Sequence, residues 1–300
     1  MEPRIPDFFI VGAPKCGTTA LSSYLGQHPD IFMPALKEVQ FFCSDLAVPP
    51  MVADEQAYLA LFSEAGDEKR VGEASVWYLY STEAPRAINA FNPMSSIIIM
   101  LRQPVEMLHA LHSQRIYNGV ESVTDFEQAL NGEARKGMMT NALTVPDPLS
   151  GPFGLDVGKY TKHVTRYLEV FGADRVKIIL YDDFVRSPSD VYVDVLSFLG
   201  VATDFRPCFD VVNANRHVRN VLLQRMVRTP SAPLRTVVRA LLPRPLRQQT
   251  VQRIARLNSK RAPRGQMSDD LRRKLTQQLA PDVMDLSKLI GRDLTHWLYR

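Results

Sequence analysis

The sequence predicts an α/β protein built on a mostly parallel, doubly wound sheet flanked by helices. Two observations point there. Short β-branched apolar runs alternate with amphipathic segments of helical period. A turn carrying glycine and threonine also joins the first strand to the first helix, the place where such sheets bind anions.

The elements follow in order. Residues 7–12 read as a strand and 18–27 as a helix, followed by a polar connection and a second strand near Val71-Gly72-Glu73. Ser96-Ile97-Ile98-Ile99-Met100-Leu101 is short and apolar, as expected of a strand buried on both faces of a parallel sheet. A helix starts behind Pro104, which suits a first helical turn. Residues 159–171 read as a helix, 176–181 as a strand, and 187–199 as a helix ended by Gly200. Residues 213–262 break the alternation with Arg-rich amphipathic pieces punctuated by Pro230, Pro233, Pro243 and Pro245. They are expected to form a helical insertion or lid within a single domain spanning 1–300. Residues 269–279 and 282–290 read as two closing helices, with Gly291 ending the second.

Composition narrows the class. The 300 residues are 45% hydrophobic and 23% charged, ordinary for a globular chain. No apolar run reaches 18 residues, and a strand begins at Asp7 with no room for a signal peptide, so a cytoplasmic location is expected. Cys16, Cys43 and Cys208 are widely spaced and lack metal-ligand spacing, which argues against a disulfide framework or a zinc site. The net charge of +4 hides an asymmetry: residues 211–268 carry thirteen Lys or Arg and no acid, leaving −9 on the rest. Such a block meets phosphate, sulfate, anionic lipid or an acidic polymer, or forms a solvated face. Nucleic acid is not an expected partner.

Gly12-Ala13-Pro14-Lys15-Cys16-Gly17-Thr18-Thr19 lies between strand and helix, where free backbone N–H groups and the helix dipole favour an anion. It is of P-loop type but departs from the nucleotidase pattern. Residue 18 is Thr where that pattern has lysine, and the strand ending at Leu101 leads into Arg102 rather than an acidic magnesium ligand. A metal-free phosphate site is expected.

Pro14-Lys15-Cys16-Gly17-Thr18-Thr19-Ala20-Leu21, His28-Pro29 and Lys37-Glu38-Val39-Gln40-Phe41-Phe42 resemble the sulfotransferases that use 3′-phosphoadenosine 5′-phosphosulfate (PAPS). The similarity is greatest to the domains that modify heparan sulfate and their bacterial relatives. It continues through Gly72-Glu73-Ala74-Ser75, Leu101-Arg102-Gln103-Pro104-Val105-Glu106, Gly158-Lys159-Tyr160, Phe198-Leu199-Gly200 and Leu289-Ile290-Gly291-Arg292-Asp293-Leu294.

The resemblance implies in-line sulfuryl transfer from PAPS to a hydroxyl or amine of a small-molecule, glycan or glycolipid acceptor, releasing adenosine 3′,5′-bisphosphate. Lys15 then offsets charge on the departing phosphate, and Cys16, Gly17, Thr18, Thr19 and Ala20 complete the donor loop. Glu38 takes the place of the family's general base, and His112 is a reserve base because some other subfamilies use histidine. Arg102 meets the 3′-phosphate with its rigid fork of donors. Relatives share that phosphate with a serine eight residues later; here it is Ala110, and Ser113, one turn on, is the expected substitute. Asn258-Ser259-Lys260-Arg261 resembles the loop that closes over the donor, without its glycine, making Lys260 and Arg261 donor contacts. Glu73, Ser75 and Tyr78 are expected to line the acceptor side. The insertion, basic and amphipathic, either packs on the core and helps hold PAPS or lies on anionic membrane. A P-loop kinase and a non-catalytic nucleotide-binding or membrane-associated protein are the competing classes.

Overall fold

β1 (Phe8–Gly12) is buried at every position, as is β4 (Ser96–Leu101) beside it. On its other side β1 pairs with β3 (Arg70–Ala74). The computed structural model places these strands in a five-stranded sheet of order β2-β3-β1-β4-β5, with β2 Ile31–Phe32 and β5 Val176–Leu180. Every pairing in the sheet is parallel. The structure describes residues 4–46, 50–131, 153–210, 216–228, 253–254, 257–261 and 265–299. No helix among the described residues is long and apolar enough to cross a membrane.

The helices form two groups. α1 (Thr18–Leu25) packs on β1 and β3 and touches α8 (Pro188–Leu199). α3 (Ala84–Phe91) packs on α6 (Thr161–Phe171), which covers β4 and β5. From β1 the chain winds toward β3, and from β3 it crosses back to β4, so right-handed crossovers put the two groups on opposite faces. The crevice that this reversal opens lies at the carboxyl ends of β1 and β4. α4 (Pro104–Asn118) leaves β4 there, with Gln103 capping it through its side chain. The shorter α2 (Glu55–Leu59), α5 (Phe126–Asn131) and α7 (Tyr181–Arg186) complete the order as far as α8.

Three expectations are corrected. The chain closes with one helix, Asp269–Ile290, rather than two. Pro281 removes a helical hydrogen bond, but Leu275, Leu279, Val283 and Leu286 keep one buried stripe running through it. Asp282, just past the proline, accepts N–H bonds from Tyr160 (2.7 Å) and Thr161 (3.3 Å) at the start of α6. Secondly, β5 runs straight into α7, so the strand ends before Tyr181. Thirdly, the insertion is not wholly helical. α9 (Val221–Arg228) is, yet β6 (Arg216–Val218) and β7 (Ser259–Arg261) pair antiparallel, and β6 and α9 pack on α4. Buried Asn258 holds that neck: its Nδ2 donates to Asn220 O (2.8 Å), its Oδ1 accepts from Asn220 N (3.1 Å), and its own carbonyl accepts from Arg219 N (2.8 Å). Residues 211–215, 229–252, 255–256 and 262–264 of this stretch lie outside the described residues, with its prolines among them. Numbered in chain order, the closing helix is α10.

The turn after β1 has no room for a side chain at either of its glycines. A Cβ at Gly12 would stand 2.7 Å from Leu79 Cβ, and one at Gly17, where φ is 93°, would stand 3.1 Å from the Phe184 ring. Gly17→Ala is therefore expected to lower stability by about 1–2 kcal/mol, read as a reduced urea midpoint; an unchanged midpoint would refute the fit described here.

His163, on α6, packs its ring against Tyr80 at 4.8 Å. Burial lowers its pKa from 6.5 to about 3, with Lys162 and Arg166 adding to the effect. The unfolded chain binds this proton below pH 6.5 and the folded chain does not, so stability falls on acidification between those values by about 1.4 kcal/mol per pH unit. His163→Phe is predicted to remove that slope; an acid limb as steep as the wild type's would disprove it.

Candidate active site

The turn leaving β1 presents backbone to the crevice. Gly17 caps α1 from the left-handed region, no side chain caps the helix, and its first turn holds no acid. The first N–H groups of α1, those of Thr18, Thr19 and Ala20, therefore have no helical acceptor, an arrangement that suits an anion. Lys15 sits at φ 61°, a conformation that costs a side-chain-bearing residue about 1–3 kcal/mol and persists only when its surroundings enforce it. Two contacts from the end of β4 do so: Ala13 N donates to Met100 O (2.6 Å), and Arg102 Nη1 to Lys15 O (3.4 Å). The amine of Lys15 donates to Gln114 Oε1 (3.1 Å) on α4. Cys16 is fully buried with its thiol on Pro14 O, and burial pushes it up to about 12, so this residue serves the loop as backbone.

Arg102 stands where β4 ends. Its guanidinium lies over the Tyr181 ring at 4.6 Å and pairs with Glu106 at 3.7 Å, and Glu106 also pairs with Arg272 of α10 at 2.5 Å. Two guanidiniums thus share one carboxylate at this end of the crevice. Ala110 is buried, and Ser113 gives its proton to His109 O of its own helix (3.0 Å). An α4 side chain that meets the turn after β1 is Gln114, one turn beyond Ala110, a spacing that could have singled it out.

Glu38 arrives from the β3 side. Its N–H donates to Ala74 O (2.9 Å) at the end of that strand, and its φ is 64°. The carboxylate, 13% exposed, accepts from Val76 N (2.9 Å), Gln40 Nε2 (3.0 Å) and the amine of Lys37. Lys37 also reaches Thr18 Oγ1 (3.4 Å), so one cation joins the acid to the start of α1. Adjacency of Lys37 and Glu38 is visible in sequence; the bridge to Thr18 is not.

The remaining expected residues are placed differently. His112 is buried, with Nε2 on Val123 O (2.8 Å) and its ring beside Phe126 and Phe153; burial lowers its pKa. It lies nearly opposite Gln114 around α4, so the structure does not bring it to the loop. The backbone of Lys260 and Arg261 belongs to β7, paired with the strand that packs on α4. Glu73, Ser75 and Tyr78 do not line an open acceptor surface: all three are without solvent exposure. The chain between β3 and α3 folds under Phe41 and Phe42, which pack with Tyr58, Tyr78 and Phe91. Burial pushes the Glu73 carboxyl up to about 7 despite hydroxyl donors that favour its ionised form.

Comparison with known proteins shows the family. Residues 5–226 match the sulfotransferase domain family. A sulfotransferase of known structure from Alicyclobacillus acidocaldarius is 32% identical and superposes with a TM-score of 0.71, covering 98% of this chain and 99% of that one. Among curated proteins, a bifunctional heparan sulfate N-deacetylase/N-sulfotransferase 1 from Caenorhabditis briggsae is 23% identical, and carbohydrate sulfotransferase 15 from Mus musculus 26%, each over 66% of this chain. The matches span 23% and 44% of those longer proteins. With the family matched over residues 5–226 and a 32% identical relative aligned almost end to end, the chain belongs to the sulfotransferase family.

Proposed function

We propose that this protein transfers a sulfuryl group from PAPS to a hydroxyl or amine acceptor of the carbohydrate class. The observation that carries the reading is the Lys37 bridge, which sets the Glu38 carboxylate beside the loop that would hold the donor. The acceptor oxygen or nitrogen attacks sulfur in line with the bridging oxygen of the phosphosulfate. As the new bond to sulfur forms, Glu38 takes the acceptor's proton and the bond to the bridging oxygen breaks, its electron pair leaving with adenosine 3′,5′-bisphosphate. Lys15 and the first amides of α1 offset the charge that builds on the departing phosphate.

Arg102 is assigned to the 3′-phosphate, which it meets by releasing Glu106. A carbohydrate acceptor is supported by the names of the curated relatives, which include heparan sulfate and carbohydrate sulfotransferases. A kinase reading is disfavoured by Thr18 at the usual lysine position and Arg102 where an acidic magnesium ligand would stand.

PAPS labelled in its sulfate, incubated with the protein and pooled carbohydrate acceptors, is expected to yield labelled acceptor. Lys15→Ala should slow transfer about 10²–10³-fold and Glu38→Gln about 10²–10⁴-fold. Equal label transfer by both variants and the wild type would refute the assigned roles, and ATP-dependent phosphorylation in its place would favour a kinase.

A second reading concerns the insertion. α9 exposes Leu222, Leu223 and Met226 within a stretch of thirteen basic and no acidic residues. Contact with anionic lipid would bring the crevice to a glycolipid acceptor. The protein is then expected to sediment with phosphatidylserine vesicles at low salt and to leave them at high salt; no sedimentation at low salt would end this reading.

A further inference from the structure

A closed polar cluster lies behind Glu38. Glu73, on β3, has no solvent exposure, yet its carboxylate is fully engaged: Ser75 Oγ donates to Oε1 at 2.5 Å, and Tyr78 OH and Tyr58 OH donate to Oε2 at 2.8 and 3.2 Å. Two of these hydroxyls pass the interaction on. Ser75 Oγ accepts the N–H of Gln40 (3.2 Å), and Tyr78 OH accepts the N–H of Phe41 (2.9 Å). Consecutive amides two and three residues past Glu38 are thus tied to one buried acid.

The segment needs such an anchor. Glu38 and Gln40 both sit in the left-handed region, at φ 64° and 58°, where neither is intrinsically comfortable. With Gln40 fixed, its side chain donates to Glu38 Oε2 at 3.0 Å, and Val76 N, one residue past Ser75, donates to the same oxygen at 2.9 Å. Both hydrogen bonds that orient this face of the Glu38 carboxylate come from residues whose backbone lies beside the cluster, one from the Gln40 side chain and one from the Val76 amide. A buried carboxylate is costly unless its acceptor sites are filled, so a fold that only needed packing here would place an apolar residue.

We propose that Glu73 is a positioning residue for sulfuryl transfer: through Ser75 and Tyr78 it fixes the backbone that follows Glu38 and so aims the Glu38 carboxylate at the donor loop. The proposal rests on Glu38 being the general base. It assigns Glu73 no contact with either substrate.

Glu73→Gln keeps the size of the side chain but replaces one acceptor oxygen with an NH₂ group, so at least one hydroxyl loses its partner. Its kcat is expected to fall about 10- to 100-fold, the scale of a misaimed catalytic group, while KM for PAPS and the calorimetric affinity for adenosine 3′,5′-bisphosphate stay within about twofold. In a Glu38→Gln background the same substitution should lower the residual rate less than about twofold, because an acid that acts through Glu38 has nothing left to aim. Ser75→Ala and Tyr78→Phe, which each cut one arm and leave the acid two donors, should reproduce part of the kcat loss and carry the test if Glu73→Gln does not fold. An unchanged kcat, a loss of PAPS affinity instead, or an equal fall in both backgrounds would overturn the proposal. Wild-type turnover by Glu38→Gln alone would instead remove the base assignment on which it stands.

Discussion

Everything at the crevice depends on the turn after β1 presenting its backbone amides there. That demands a strand end from which the next helix starts with its amides uncovered, and β1 supplies it because the chain leaves β1 and β4 toward opposite edges of the sheet. The turn is held from the side by β4: Met100 and Arg102 contact Ala13 and Lys15, so the conformation of the loop is written partly in a strand some ninety residues away. Three strand ends then deliver three kinds of chemistry to one place, a lysine from β1, an arginine from β4, and an acid pinned to β3.

The charges arrive already oriented. Lys15 rests on a neutral amide, Gln114, which directs the amine without cancelling its charge. Arg102 is stacked on Tyr181 and shares Glu106 with Arg272, so its guanidinium is held from two sides. Partly exposed ion pairs of this kind add little to stability. Their contribution is geometric, because side chains held in place have less to lose when substrate binds.

Legibility in the sequence followed the physics of each element. β1 and β4 were readable because both their faces are buried and nearly every position is apolar, whereas two-residue β2 and three-residue β6 and β7 are too short to carry a period. Pro281 mimicked a helix boundary, since local propensity knows nothing of the apolar stripe that carries α10 past it. Lys15, Gly17 and Thr18 stood out from spacing alone, because few residue types suit a loop that binds anions through its amides. Glu38 did not: an acid beside a lysine is ordinary, and only resemblance to known motifs raised it. Glu73 was expected on the acceptor side only through resemblance to known motifs, and the hydroxyls that satisfy it come from positions 58, 75 and 78, a spacing with no pattern in it. His112 and Ser113 look promising in sequence, yet the helical turn directs Gln114, not either of them, to the loop.

The clamp made by Asn258 has an architectural consequence. By tying Arg219 and Asn220 to the residue that precedes β7, it gathers the two ends of residues 221–257 into a single narrow stem seated on α4. Changing the number of residues between such anchors alters closure entropy only logarithmically, by about 0.6 kcal/mol per doubling. The stem therefore works as a socket: the length of chain between its two anchors can change at little cost to the fold beneath.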